Sequence, residues 1–169
     1  MPIQVRVKID GLKRLRQQVV NNPALGKAIA GAWSTIYRAF TRQRFYKNSR
    51  GGGDWPPLSQ RTIDARRKGK GSGSPAILRD TGTMFAAIQP NLDSNGLLQS
   101  RPRPLGFTAF LGGHRTYKDG ATLVQVAEFH HKGSGHLPKR TILVIPGANT
   151  IKQMATKAKQ IALKFMGDR

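Results

Sequence analysis

The chain has 169 residues, enough for one compact domain with extended loops, and 38% of them are hydrophobic, which keeps the core modest. Twenty-nine Lys and Arg against eight Asp and Glu give a formal charge of +21, an excess that opposes self-association and calls for an anionic neighbour, nucleic acid being the commonest. The absence of cysteine excludes disulfides, thiolate metal sites and thiol nucleophiles, and no apolar run approaches the roughly 20 residues that span a bilayer.

In chain order, Ile3, Val5, Val7 and Ile9 alternate with polar residues and predict a half-buried strand, with none of the apolar run of a signal peptide. The expectation is a soluble protein made inside the cell. Gly11 breaks the strand, and Leu12, Leu15 and Val19 predict a short amphipathic helix ending near Asn21. Asn22 then caps a second helix with Pro23 at its first position. Leu25, Ile29, Trp33, Ile36 and Phe40 form its apolar stripe, on a helix reaching about Tyr46 and roughly 35 Å long. Arg38, Arg42 and Lys47 fall off that stripe and are expected to face a partner.

Gly51 to Gly53 end the helix, and Trp55-Pro56-Pro57-Leu58 reads as a rigid aromatic-proline turn. Ser59 caps a short helix to about Lys68, followed by a Gly/Ser/Lys loop over 68–75 expected to be mobile. Asp80 or Thr81 starts another short helix carrying Met84, Phe85 and Ile88. Antiparallel strands are expected between Ile88 and Leu111 with a turn over 93–96, then a second mobile loop over 112–121. Leu123 to His131 could be a short helix or a strand, because Val124, Val126 and Phe129 fit neither period cleanly, and Arg140 to Ile145 reads as a buried strand. A last helix spans about Asn149 to Met166. Its stripe is Ile151, Met154, Ala155, Ala158, Ile161, Ala162 and Phe165, with Lys152, Lys157, Lys159 and Lys164 on the other faces. The order predicts a single α+β domain over 1–169: an antiparallel sheet packed against two long helices, with extended loops and an N-terminal strand and short helix in 1–22.

The charge is segregated. No carboxylate lies between Asp10 and Asp54, against nine basic residues, and none between Glu128 and Asp168, against seven. Solvated helices intersperse both signs, so the basic faces of the two long helices (Arg38, Arg42 and Lys47; Lys152, Lys159 and Lys164) read as facing DNA or acidic protein.

No catalytic constellation is legible. The eight carboxylates are scattered singly. His130, His131 and His136 near Glu128 lack the regular spacing of a zinc site, and the glycines of 69–73 lack a phosphate-loop pattern. The expectation is no enzyme, no metal and no cofactor.

Three segments resemble the phage virion-morphogenesis, or tail-completion, family, in order and approximate spacing across residues 23–166. One is Trp55-Pro56-Pro57-Leu58-Ser59-Gln60-Arg61-Thr62, after a basic helix and glycines. The second is Ile77-Leu78-Arg79-Asp80-Thr81-Gly82-Thr83-Met84. The third is Ala127-Glu128-Phe129-His130-His131-Lys132-Gly133 followed by Leu137-Pro138-Lys139-Arg140. The insertion at 112–121, and Thr141-Ile142 where an aromatic often follows the arginine, depart from the family pattern. Physically the segments read as scaffold: Trp55 buried as a clamp, Thr81-Gly82 as a helix start with close backbone approach, and Pro138 and Arg140 at the edge of the last strand, with Arg140 available for a carboxylate or a backbone carbonyl.

The resemblance implies a structural virion protein, made in the host cytoplasm, that completes the tail and joins it to the head. It further implies a ring homo-oligomer in the neck, a hexamer being one arrangement it allows, against connector or adaptor and tail-tube or tail-terminator proteins, with genomic DNA passing through. The alternative is a sequence-independent nucleic-acid-binding protein. That reading needs a stacking surface, for which Phe107, Phe110 and Tyr117 are the candidates; Phe107 and Phe110, three apart, face opposite sides of a strand.

Overall fold

The computed structural model describes residues 3–8, 12–66, 75–79, 81–88, 96–103, 106–113, 115–117 and 120–167. The loop expected to be mobile at 68–75 and the turn at 93–96 lie, but for Pro75 and Gly96, outside these residues. The elements are β1 (Gln4–Lys8), α1 (Lys13–Asn21), α2 (Pro23–Ser49), α3 (Gln60–Ala65), α4 (Thr83–Ala87), β2 (Leu98–Arg103), β3 (Gly106–Leu111), α5 (Leu123–Lys132) and α6 (Ala148–Gly167). The fold class is α+β, with a three-stranded antiparallel sheet in the order β1-β3-β2 and two long helices, α2 and α6. Alternation in β1 turns Val7 into the core opposite Phe107 and sets Val5 opposite Ala109, while Gln4 and Arg6 stay exposed.

The central element is α2. Its Asn22 cap accepts a hydrogen bond from the Leu25 amide, and Pro23 sits where the missing N–H costs nothing. It runs to Ser49, about 40 Å at 1.5 Å per residue. Trp33 is fully buried and its indole N–H donates to the Met154 carbonyl of α6 at 2.6 Å. Tyr37 meets Phe107 of the sheet edge-on at 5.3 Å, and its hydroxyl donates to the Val144 carbonyl at 3.0 Å. Burial pushes the Tyr37 phenol up to about 12. The buried line therefore runs through Leu25, Ile29, Trp33, Tyr37, Thr41 and Phe45, and Ile36 and Phe40 of the expected stripe are only half-buried. A step of four residues advances about 40° around the helix, so the contact line winds as α2 passes from α6 toward the Trp55 turn.

Several expectations change on the structure. Ile88, expected to open the strand region, closes α4, and the strands among the described residues between 88 and 111 are Leu98–Arg103 and Gly106–Leu111. Of the two starts expected for α4, Asp80 lies outside the described residues and Thr81 stands one residue before the cap, its hydroxyl accepting from the Thr83 N–H at 3.4 Å. The cap itself is Gly82, at φ +75, where a side chain would be strained. A Cβ there would meet nothing within 4 Å, so the glycine serves its backbone angle and not the close approach expected of it. Close approach falls on Gly53 instead, where a Cβ would overlap the Asn48 side-chain amide oxygen. The segment that fitted neither period cleanly is helical: Thr122 and Gln125 form a reciprocal capping box that starts α5. In the 112–121 loop, the described residues turn back on themselves, Tyr117 N–H donating to the Ala121 carbonyl and Leu123 N–H to Arg115.

The strand expected at 140–145 does not form. Ile142 and Leu143 are buried as expected, but the backbone around them is held by side chains and by α5. The Arg140 N–H donates to the His130 carbonyl at 2.6 Å, and the Ile142 and Leu143 N–H groups point at His131 Nδ1, 3.1 and 3.4 Å away. The carbonyl of Thr141 accepts from Arg44 and Trp55, and that of Val144 from Tyr37. With those groups satisfied, no neighbouring strand is required.

Candidate functional site

The three segments that carry the family resemblance meet at one place. Trp55 is 5% exposed, packs edge-on against Phe45 at 4.9 Å, and donates its indole N–H to the Thr141 carbonyl at 3.0 Å. Arg140, 3% exposed, reaches back and donates to the carbonyls of Pro56 and Pro57, both at 3.2 Å. Proline pairs leave free carbonyls with no neighbouring N–H of their own, and a guanidinium fork spans two of them at once. Arg44 adds a third tie, donating to Thr141 at 2.6 Å and to both oxygens of Asp54 at 2.9 and 2.8 Å. Residues more than eighty positions apart are thereby locked together. Arg140 thus sits at a lock between a turn and an unpaired segment, not at a strand edge.

Beside the lock lies a cavity of about 740 Å³, lined by Pro56, Pro57, Leu58, Thr81, Gly82, Pro138 and Arg140 together with His130 and His136. Its polar groups are the hydroxyls of Ser59, Thr62, Thr81, Thr83 and Tyr117, the guanidiniums of Arg66 and Arg140 and the two imidazoles, and no carboxylate is among the described residues that line it. No group of three or more metal-ligating side chains comes together among the described residues. His131 turns away to accept from the backbone of 142 and 143. His130 Nδ1 is buried without a hydrogen-bond partner.

Both histidines are held neutral. Burial, and then the charge of Arg140, push His130 down to about 4 from 6.5. Burial, then the charges of Lys139, Arg44 and Lys132, lower His131 against a weaker pull from Glu128. A depressed histidine means the unfolded chain binds more protons than the folded one between 6.5 and about 4, so stability falls as pH falls through that window. Melting temperature is expected to drop from pH 6.5 to 4, and less steeply in a His130→Gln/His131→Gln variant. Equal slopes would mean that neither imidazole is coupled to folding.

The basic residues separate on inspection. Arg38 is a correction: it is 3% exposed, inside the core face of α2, because the contact line winds through Tyr37 and Thr41. Burial lowers its pKa. Arg42 is half-buried with its guanidinium 5.4 Å from the Phe85 ring, and Lys47 is exposed in the last turn of α2, where a cation complements the helix dipole. The three do not form one face, since Arg38 and Lys47 point about 180° apart around the helix. Lys152, Lys159 and Lys164 are all exposed on α6, the first two within about 20° of each other and the third about 120° away.

Four cation–aromatic partners escaped the sequence reading. Arg50 sits 4.2 Å from the Tyr46 ring and Arg79 sits 4.4 Å from Phe85. Tyr46, off the expected stripe, with Arg42, Lys47 and Arg50 close in sequence, was the available signal. On β3, Phe107 is buried and Phe110 is half-buried against Arg101 at 4.9 Å, so the two rings do not share a stacking surface. Comparison with family models, with curated proteins and with solved structures finds no match.

Proposed function

We propose that this chain is a structural subunit of a tailed-phage particle that completes the tail and joins it to the head, without catalytic activity of its own. The observation that carries the reading is the lock itself. The first and third segments resembling the tail-completion family are distant in sequence yet tie together through Trp55, Arg140 and the Pro56 and Pro57 carbonyls, and the second lines the cavity beside them through Leu78, Thr81 and Gly82, as a shared scaffold motif should. The charge agrees: a protein at +21 with lysines exposed along α6 suits a ring whose neighbours are acidic proteins and passing DNA. Assembly as a homo-oligomeric ring in the neck, with connector and tail-tube or terminator proteins above and below, belongs to the same proposal.

The test is genetic. Deleting the coding sequence from the phage that carries it should yield separate filled heads and tails in the lysate, rejoined when the protein is supplied in trans. Normal joined particles from the deletion would overturn the reading.

A further inference from the structure

The outer side of α2 carries a groove whose floor packs on the core from beneath and is open above. Ile36 and Phe40, left half-buried by the winding of the contact line, floor this groove of about 700 Å³ with Tyr46, Phe85 of α4, and Thr150 and Gln153 of α6. Tyr46 and Phe85 lie 6.1 Å apart at one end. Three arginines rest on these two rings: Arg42 on Phe85 at 5.4 Å, Arg50 on Tyr46 at 4.2 Å, and Arg79 on both at 4.4 and 5.6 Å. A guanidinium stacked on a ring uses its flat side and keeps its N–H edge outward, in the geometry that grips a carboxylate or a phosphate. The ion pairs of the described residues lie elsewhere, at Arg44–Asp54 and Lys132–Glu128. Arg42 lines the groove, while Arg50 and Arg79 line a separate cavity and meet the groove through its Tyr46 and Phe85 rings, so three cations gather at its end and an anion is what relieves their repulsion.

We propose that this groove between α2, α4 and α6 docks an acidic amphipathic segment of a neighbouring protein. Its apolar side chains cover Ile36, Phe40 and Phe85, and its carboxylates meet Arg42, Arg50 and Arg79. Charge complementarity requires the acid, and the recessed floor decides between acidic protein and nucleic acid. A DNA backbone is polar along its whole length and would leave Ile36 and Phe40 uncovered, whereas an amphipathic segment satisfies floor and rim together. The inference rests on the proposed virion role only for where the neighbour is found.

The probe is a synthetic helix-forming peptide of leucine and glutamate, with leucines spaced alternately three and four apart. A scrambled peptide of the same composition and a short DNA duplex serve as comparisons. In fluorescence anisotropy the patterned peptide should bind at least about tenfold more tightly than the scrambled one. Arg42→Glu/Arg50→Glu/Arg79→Glu should lose at least about tenfold for it, and the charge-matched Arg16→Glu/Lys27→Glu/Arg103→Glu, on exposed positions of α1, α2 and β2, less than about threefold. A melting curve checks each variant. If the groove variant fails to fold, Arg42→Gln/Arg50→Gln/Arg79→Gln replaces it with the same expected direction. Equal binding of both peptides, equal losses in the two triple variants, or a groove variant that loses DNA alone would overturn the proposal. Since the assay uses the free protein, its failure leaves the virion role standing, and joined particles from the deletion would leave the groove standing.

Discussion

Replacing Trp55 by alanine is expected to cost about 3–5 kcal/mol, the range for emptying a buried aromatic site. The ring is 5% exposed, lies perpendicular to Phe45 with centroids 4.9 Å apart, and its N–H holds the Thr141 carbonyl. Losing it opens a cavity beside the two prolines and strips an acceptor of one of its two donors, since Arg44 remains. A domain with a modest core has little reserve against a loss of that size. Thermal and urea melting of the purified variant measure it. An unchanged midpoint, with a defect only in assembly, would make Trp55 a docking residue and contradict its place in the core.

Arg140→Met should cost about 2–4 kcal/mol, from two charge-assisted bonds lost and two proline carbonyls left without a donor among the described residues. Arg140→Lys separates charge from geometry. An ammonium restores the charge but lacks the planar fork that spans two carbonyls, so lysine should recover less than half of the loss. Full rescue by lysine would show that only a buried positive charge is needed. A loss below about 0.5 kcal/mol in Arg140→Met would place the lock among ordinary surface contacts.

The helices were readable because their signals are local. Asn22-Pro23 at the start of α2, Ser59 before α3 and the apolar spacing of α6 each act within a few residues, and each appears where the sequence puts it. The half-buried strand Gln4–Lys8 was equally plain from its alternation. The segment at 140–145 was not. Its apolar run, Ile142, Leu143, Val144 and Ile145, looks like a strand, yet the segment's hydrogen-bond partners are the side chains of residues 37, 44, 55 and 131 and the His130 carbonyl, which no local pattern reveals. A run of this kind announces burial without announcing what satisfies its backbone.

The site was half legible for the same reason. Trp55, Pro56, Pro57 and Arg140 were singled out as scaffold and do interlock, although the partner of the guanidinium, a pair of proline carbonyls, follows only from the fold. The basic faces were read from a straight stripe on α2. Because the contact line winds, Arg38 goes inward, and the exposed chemistry of that helix moves to Arg42 and Arg50 on their aromatic supports. Charge counted along a sequence gives the total correctly and the direction of each side chain poorly.

The most direct measurement on the central proposal is a reconstruction of the intact particle's neck by electron microscopy at side-chain resolution. The expected result is a ring of this chain at the head-proximal end of the tail, with the Trp55–Arg140 lock inside each subunit, acidic protein against the groove of α2, and the α6 lysines toward a neighbour or the DNA path. A complete neck in which every density is accounted for by other chains, with this one absent, would contradict it.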